Sequence, residues 1–549
     1  MVKNLMLPIK ESFIRERENY FVGLILMIFI LLRVVAWSNA KVVEDHDSIY
    51  YLTISKFIGN LDFKAISEIG PDATFLYPFF IATFNLAGWY NEFGARLVTF
   101  LSSILLFYSL FRIGKRINGS SGTAIGLLIL SFNPFFIDFS VSILTEPLYL
   151  ANIYYGIWYF FKYLKKPSAL KVFLLGIIFG LSFLNRPEGI VFLAFIPLML
   201  IVEYFMVGIR KYSGVSSVIK SVSFFILGFL LLSIPQVYLT SSKMGTFAIN
   251  GRQTWQAIFN TPDNRSYDER ISGLDYSEKD INLKFLQSNP QAYKSLKSDK
   301  YIIDTIKNFV MEFDKLSSSQ INKLVGIIVL ITLGIGVLSL LSEKRNYELL
   351  FIITFIIVTL IPPLMHSVDL IRHIAIIGPL FMLLSGIGIS FLSTKITNCI
   401  ENERMKFLSL KYLTFVLLLL IPLSSAKPIY YSLKNSPVNK EYSPTDLSEA
   451  IEALRSLVDK NKEITIISRK SYFPYYSGSR QVGLPFTTYE KLVKYARLNK
   501  VSFIYLQSKE IENYPYGNLF LENKAPEFKL VYSTQDKNGQ KIFLYKFLQ

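Results

Sequence analysis

The feature that most constrains this chain is a series of long apolar runs. Two of them, YFVGLILMIFILLRVVAW at 20–37 and LVGIIVLITLGIGVLSLL at 324–341, are each long enough to cross a hydrocarbon core of about 30 Å. Hydrophobic residues make up 51% of the chain, and they are concentrated in such runs. The pattern therefore predicts a multi-pass membrane protein. The first run lacks a small-residue cleavage site and more runs follow, so we do not expect a cleaved signal peptide.

The fold class that we expect is mainly α, a polytopic bundle of about eleven spans. They lie at roughly 20–38, 94–112, 121–139, 146–164, 170–186, 189–206, 221–240, 324–341, 348–365, 371–393 and 411–426. The net charge of +17 comes largely from Lys and Arg in short segments on one side of these spans, such as Lys115 and Arg116. Membrane topology, through the positive-inside rule, explains this positive charge better than binding to nucleic acid does. It predicts a cytoplasmic N-terminus in a plasma-membrane protein.

This orientation depends on the segment FLYPFFIATFNLAGWY at 75–90. If that segment crossed the bilayer, every later loop would change sides. It is short for a span, so we interpret it as interfacial or re-entrant. The alternation then places three large regions outside: the loops 39–93 and 241–322, and a tail at 427–549.

The tail has the hydropathy of a soluble domain. Four stretches, at 463–469, 501–507, 528–534 and 541–547, have the residue pattern of strands, and 446–460 has the pattern of an amphipathic helix. DKNG at 536–539 is typical of a hairpin turn. We therefore expect a membrane domain over 1–426 and a small extracytoplasmic α/β domain over 427–549.

Ionisable residues recur at the expected outer ends of different helices. Asp47 follows the first span, Glu146 opens the fourth and Arg186 ends the fifth. HSVDLIRHIAIIGP at 366–379 places Asp369, Arg372 and His373 at the start of the tenth. Charged groups at a membrane edge are functional candidates by default. Each also has an ordinary structural explanation. Charged side chains near helix ends can extend to water, acidic residues are favourable at helix N-termini, and arginines form ion pairs with carboxylates.

Other kinds of site have weaker signals. The three histidines, His46, His366 and His373, all fall on the outer side and leave a metal site with Asp47 open as an alternative. For Glu188 the first explanation is a first-turn acid, and a functional role is the alternative. No Gly-x-x-x-x-Gly-Lys-Ser/Thr loop occurs, and the single cysteine, Cys399, excludes an intramolecular disulfide. GIGIS at 386–390 and LGIG at 333–336 are interpreted as helix-packing glycines.

Five motifs occur in an order that resembles a known family. They are DHDSIYY at 45–51, LYPFFIATFN at 76–85, GARL at 94–97, LTEPLYL at 144–150 and GLSFLNRPEG at 180–189. Over roughly 20–390 the chain resembles membrane glycosyltransferases of the GT-C fold. It is most similar to the dolichyl-phosphate-mannose protein mannosyltransferases, a family that includes lipid A aminoarabinose transferases.

The resemblance implies an inverting transfer of a sugar from a polyprenyl-phosphate donor to a protein, lipid or glycan acceptor at the outer face. It assigns the catalytic carboxylate to Asp47 and a second catalytic acidic position to Glu146, which would orient the acceptor or the sugar. It also implies that Tyr50, Tyr51, Arg186, Arg372 and His373 bind substrate. Two positions depart from the family pattern, Ser48 for an acid and His373 for a tyrosine.

The residue types suit this chemistry. A carboxylate can take the proton of a hydroxyl acceptor, and arginine's planar fork matches the oxygens of a leaving phosphate. No cofactor is expected. A transporter or flippase for a lipid-linked sugar remains the main alternative, although the chain lacks an internal inverted repeat. A non-catalytic assembly protein that binds through the tail is a third.

Overall fold

The structure is a computed structural model, and helices dominate it. It describes residues 2–40, 46–62, 66, 73–88, 91–207, 214–244, 247–249, 251, 321–364, 370–398, 426–435, 444–458, 464–535 and 539–548. Several features predicted above lie outside these residues: His366, Asp369, Cys399, nearly all of the span at 411–426, most of the DKNG turn at 536–539 and most of the loop at 241–322.

The chain divides into two compact units. The first contains 1–40, 61–250 and 305–437, and the second contains 41–60, 251–304 and 438–549. The short segment that carries Asp47 therefore groups with the C-terminal part of the chain.

The first unit is helical. Its helices are α1 (Val2–Ser38), α3 (Leu76–Leu86), α4 (Asn91–Asn118), α5 (Ser120–Phe132), α6 (Pro134–Phe139), α7 (Glu146–Lys165), α8 (Ala169–Asn185), α9 (Phe192–Val207), α10 (Val215–Met244), α11 (Ile321–Val325), α12 (Ile327–Ser342), α13 (Asn346–Leu364), α14 (Leu370–Ile374), α15 (Gly378–Asn398) and α16 (Ala426–Asn435). Short 3₁₀ turns at Pro187–Val191 and Ala375–Ile377 precede α9 and α15.

Long apolar helices account for the hydropathy pattern. Within the described residues, five helices are long and apolar enough to cross a membrane, at Tyr20–Ser38, Glu92–Ile117, Pro187–Met206, Val215–Lys243 and Arg372–Asn398. Several shorter apolar helices accompany them, so the chain has the character of a multi-pass membrane protein. Helix α3, in the ambiguous 75–90 segment, has 11 residues and a rise of about 16 Å, too little to cross.

One expected span is not a single helix. The pattern at 121–139 predicts a continuous helix, but the helix breaks at Asn133, whose backbone is extended (ψ 119°). The residue before a proline avoids the helical region, and Pro134 follows. The Asn133 side chain then accepts a hydrogen bond from the backbone N–H of Phe136 at 3.2 Å and caps α6.

Glycines set the closest helix contacts. A Cβ added at Gly336 of α12 would lie 2.1 Å from the carbonyl oxygen of Leu384 in α15, and one at Gly388 would lie 2.0 Å from that of Thr332. A Cβ at Gly386 would lie 2.2 Å from the backbone nitrogen of Gly126 in α5. These backbones touch because no side chain intervenes, which confirms the packing interpretation for GIGIS and for Gly336 of LGIG.

The described part of the second unit contains helix α2 (His46–Gly59) and an α/β fold. That fold consists of α17 (Pro444–Ser456), β1 (Thr465–Ser468), α18 (Tyr472–Ser477), β2 (Arg480–Gly483), α19 (Tyr489–Leu498), β3 (Phe503–Gln507), α20 (Ser508–Ile511), α21 (Gly517–Leu521), β4 (Phe528–Gln535) and β5 (Lys541–Phe547). Strand order is β2-β1-β3-β5-β4. Strands β1, β2 and β3 run parallel, and β5 is antiparallel to β3 and β4.

The strand and helix predictions for the tail are confirmed. Buried apolar residues of β3 and β5 pack with α19 and α21 into one hydrophobic core. Burial raises the pKa of Tyr545 in β5 to about 12, and its hydroxyl donates to the carbonyl of Phe520. Helix α2 packs against α18 in the same unit.

Candidate functional site

Local sequence places Glu146 at the first turn of α7. Thr145 is the N-cap, and Pro147 occupies one of the first positions, where its missing N–H costs nothing. The Asn185 side chain donates to the Thr145 carbonyl at 2.7 Å and so ties the end of α8 to this start. The Glu146 side chain is only 3% exposed.

The sequence NRPEG positions Arg186 and Glu188. Pro187 forces Arg186 into an extended conformation (φ −148°, ψ 131°), which ends α8. The 3₁₀ turn from Pro187 folds back on α8, and it does so at Gly189, where a Cβ would lie 2.6 Å from the backbone nitrogen of Phe183. Arg186 and Glu188 consequently lie beside the start of α7.

Arg372 and His373 come from the short helix α14, more than 220 residues from Glu146 along the chain. Glu146 Oε1 accepts from Arg372 Nε at 2.9 Å and lies 2.8 Å from Arg372 Nη2. The same oxygen lies 2.6 Å from Arg186 Nη1. Two guanidinium groups thus converge on one buried carboxylate oxygen, while Glu146 Oε2 accepts a longer, 3.4 Å hydrogen bond from Thr145 Oγ1.

Glu188 and His373 complete the charged cluster. Glu188 Oε1 lies 3.2 Å from Arg186 Nη2 and 3.1 Å from His373 Nδ1. His373 Nδ1 also lies 3.0 Å from Arg186 Nη2. With His373 neutral, the two glutamates balance the two arginines. Breaking a buried pair of this kind commonly costs about 3–5 kcal/mol, because one charge loses its partner.

The cluster lines a cavity in the first unit. Its walls are the five charged or ionisable residues above together with Tyr149, Leu150, Thr359, Ala375 and Ile376. Arg372 is the most exposed of the five, with 25% of its side chain accessible, whereas Arg186 is 5% exposed. A ligand that enters the cavity therefore meets Arg372 more readily than Arg186.

Asp47, Tyr50 and Tyr51 lie in the first two turns of α2, in the second unit. Tyr50 and Tyr51 follow Asp47 by three and four residues, so all three side chains lie near one face of the helix. Asp47 and Tyr50 are half-buried and Tyr51 is buried. The two tyrosine rings are 6.2 Å apart and tilted.

The structure brings four of the seven predicted site residues into one cluster: Glu146, Arg186, Arg372 and His373. Sequence reasoning underestimated Glu188 and did not select Tyr149 or Thr359. The signal for Glu188 was its place two residues after Arg186 in a proline turn. Among the described residues, no group of three His, Cys, Asp or Glu side chains is arranged to hold a metal ion.

Comparison with known proteins supports the resemblance proposed from the motifs. Residues 72–238 match the family model described as dolichyl-phosphate-mannose-protein mannosyltransferase. No curated protein sequence matches the chain.

Solved structures extend the similarity to nearly the whole chain. One is the archaeal oligosaccharyltransferase AglB from Archaeoglobus fulgidus, in complex with an inhibitory peptide and a dolichol-phosphate. It has a TM-score of 0.55 and 12% identity, over 97% of this chain and 74% of that one. Another is ArnT from Cupriavidus metallidurans bound to undecaprenyl phosphate, with a TM-score of 0.52 and 11% identity over 96% of this chain and 97% of that one. ArnT in the apo state gives a TM-score of 0.54 at 10% identity, over 96% and 98% of the two chains. The chain therefore shares the fold of AglB and ArnT, which are GT-C glycosyltransferases, and the predicted resemblance is confirmed.

Proposed function

We propose that this chain is an integral-membrane glycosyltransferase that moves a sugar from a polyprenyl-phosphate donor to an acceptor at the outer face of the plasma membrane. The observation that carries the proposal is the pair of arginines on one buried carboxylate, at a cavity of a GT-C fold. The similar structures of AglB and ArnT hold a dolichol-phosphate and an undecaprenyl phosphate, which supports the donor class.

In this proposal Arg372 contacts the donor phosphate. It lines the cavity and is the more exposed arginine, and its planar guanidinium can meet two phosphate oxygens at once. Glu146 fixes that guanidinium through Nε and Nη2. The contact is preorganised, so the enzyme need not order a flexible side chain during the reaction.

Glu146 and Arg186 have a supporting role. Glu146 remains ionised between the two arginines and orients them toward the donor. Arg186 is nearly inaccessible and is held by Glu146 and Glu188, so it contributes positive charge and position. This refines the role inferred from the sequence, in which Glu146 was itself a candidate for orienting the sugar or the acceptor.

Asp47 is the proposed base. The acceptor hydroxyl gives its proton to the Asp47 carboxylate as its oxygen attacks the anomeric carbon of the sugar. The bond from that carbon to the phosphate oxygen breaks, and its electron pair leaves with the phosphate. Attack on the face opposite the leaving group inverts the anomeric configuration. The products are the glycosylated acceptor and a polyprenyl monophosphate, and Asp47 later returns the proton to water.

The other partners follow from this chemistry. The apolar helices of the first unit, including α3, offer a surface for the polyprenyl tail. The acceptor is a protein, lipid or glycan that approaches from the aqueous side. No cofactor or nucleic acid enters the reaction as proposed.

A panel of donors tests the proposal. Purified full-length protein in lipid nanodiscs is supplied with polyprenyl-phosphate sugars that carry a radiolabel in the sugar, and label lost from the lipid fraction is measured. We expect turnover of at least one donor, with release of polyprenyl monophosphate, and none in Asp47→Asn. Movement of intact donor across a vesicle membrane without cleavage would instead favour the flippase alternative.

A further inference from the structure

Three polar atoms of the cluster form a triangle that a single proton can rearrange. Arg186 Nη2, Glu188 Oε1 and His373 Nδ1 are separated by 3.2, 3.0 and 3.1 Å. A guanidinium nitrogen only donates hydrogen bonds, and an ionised carboxylate only accepts them. His373 Nδ1 can therefore accept from Arg186 or donate to Glu188, but it cannot do both.

The arrangement depends on which nitrogens of the imidazole carry hydrogen. When the ring is neutral with its hydrogen on Nε2, the two hydrogens of Arg186 Nη2 serve Glu188 and His373 together. When Nδ1 is also protonated, its N–H donates to Glu188 and the imidazolium repels the guanidinium. Arg186 then depends more on its 2.6 Å contact with Glu146.

The two states differ in net charge. Two glutamates and two arginines cancel while His373 is neutral, and protonation leaves the cluster with one positive charge. The histidine is 16% exposed and Glu188 is 12% exposed, so solvent screens this charge only in part. An anion in the cavity is attracted more strongly to the protonated state.

Among the described residues, the helices packed against α14 carry two further charged groups, Lys323 and Glu348. Lys323 of α11 is exposed. Glu348 lies near the start of α13, about 16 Å along the helix axis from the cavity residue Thr359. Its carboxylate lies beside Arg116 and Arg345. The groups from α7, the α8 terminus and α14 that line the cavity with His373 are Glu146, Tyr149, Arg186, Glu188 and Arg372.

We infer that His373 and Glu188 form a proton-dependent clasp on Arg186, through which the affinity of the cavity for a phosphate group rises as the pH falls. The inference rests on the proposed function for its ligand, the phosphate of a polyprenyl-phosphate donor. His373 acts here as a positioning residue with a charge effect. Anion binding and protonation favour each other by linkage, and such couplings are typically about 5- to 150-fold.

The binding test uses a probe whose own charge is constant. A polyprenyl methyl phosphate is a phosphodiester with one negative charge throughout the range used, unlike a monoester. Its dissociation constant is measured on full-length protein in nanodiscs from about pH 5.5 to 8, where imidazoles titrate. Dimethyl phosphate, which lacks the lipid tail, is added as a competitor to separate recognition of the phosphate from recognition of the lipid.

We expect the wild-type protein to bind the probe at least about fivefold more tightly at pH 5.5 than at pH 8. His373→Asn cannot become charged and should show no such slope. The matched control replaces the other two histidines, His46→Asn with His366→Asn, and should keep the slope. Competition by dimethyl phosphate that strengthens at low pH assigns the effect to the phosphate, whereas a slope only for the lipid probe would overturn the assignment.

A measurement without ligand tests the proposed protonation change of His373 independently of the donor. In the His46→Asn, His366→Asn protein the single remaining imidazole is labelled with ¹⁵N. At pH 8 we expect an unprotonated Nδ1 and a protonated Nε2, and at pH 5.5 two protonated nitrogens. A ring that carries its proton on Nδ1 at pH 8, or that does not titrate, would refute the clasp. The expected titration without phosphodiester binding at any pH would refute the proposed function instead.

Discussion

Asp47 is the single residue on which the proposed transfer depends most directly. We expect Asp47→Asn to lower the transfer rate by at least about 10²–10⁴-fold, the usual contribution of a general base, because an amide cannot accept the proton. Donor binding and folding should change little. The measurement is single-turnover transfer with a fixed donor. Asp45→Asn is the matched control. If the Asp45 variant were inactive and the Asp47 variant active, the catalytic base would be Asp45.

Arg372 should contribute mainly to donor affinity. We expect Arg372→Ala to raise the donor dissociation constant at least about tenfold, since a charge-assisted hydrogen bond contributes about 1.5–3 kcal/mol. The fold should survive, because Glu146 keeps its 2.6 Å contact with Arg186. Equilibrium binding of a polyprenyl-phosphate donor measures the effect. Arg345→Ala is the control, since the Arg345 side chain is 40% exposed and lies 3.9 Å from the carboxylates of Glu343 and Glu348. Equal weakening of donor binding in both variants would contradict the assignment of Arg372.

Individual site residues were predictable where their local sequence carried a motif. Glu146, Arg186 and Arg372 were selected because each is a charge at the expected end of an apolar run. Their convergence on one oxygen was not predictable, since it joins residues 226 positions apart through the packing of several helices. Arg33 illustrates the same limit. It lies inside an apolar run, and its guanidinium donates to the carbonyls of Leu130 and Ser131 at the end of α5, a role with no signal in the sequence.

At the scale of elements, the glycines of α12 provide an internal comparison. A Cβ at Gly336 would meet the Leu384 carbonyl oxygen at 2.1 Å, whereas one at Gly334 would meet nothing within 4 Å. We expect Gly336→Val to destabilise the α12–α15 contact by about 1–3 kcal/mol, as overpacking does. Gly334→Val is the control for helix propensity, because both changes are on one helix. The measured quantity is the temperature at which half of the monodisperse protein is lost in detergent. Equal midpoints for the Gly336 and Gly334 variants would contradict the close approach of α12 and α15.

Elements were predictable where periodicity was strong. Strands β1, β3, β4 and β5 and the helix of the tail were found because apolar residues are concentrated in each strand and recur along the helix. Strand β2 was missed because all four of its residues are at least partly exposed, at the edge of the sheet, whereas the equally short β1 is buried. The break at Asn133 was missed because hydropathy alone does not register a proline that ends one helix and starts another.

At the scale of the whole molecule, sequence hydropathy predicted a membrane domain followed by a tail domain. Contacts in the structure group 41–60 with the C-terminal part, so a segment near the N-terminus belongs to the second unit long before the tail begins. No local pattern could indicate this, because it depends on the packing of α2 against α18. The predicted base thus belongs to the same unit as the tail domain.

The sidedness of the molecule is the remaining prediction at this scale. The basic loops and the odd number of expected spans put the C-terminus outside the cytoplasm. Alkaline phosphatase, active only outside, should therefore work when fused after Gln549, and a green fluorescent protein there should stay dark. Fusions after Lys166, in the expected inner loop that follows α7, should behave in the opposite way. If both pairs of results were reversed, Asp47 and Glu146 would face the cytoplasm, and a transfer reaction at the outer face would be excluded.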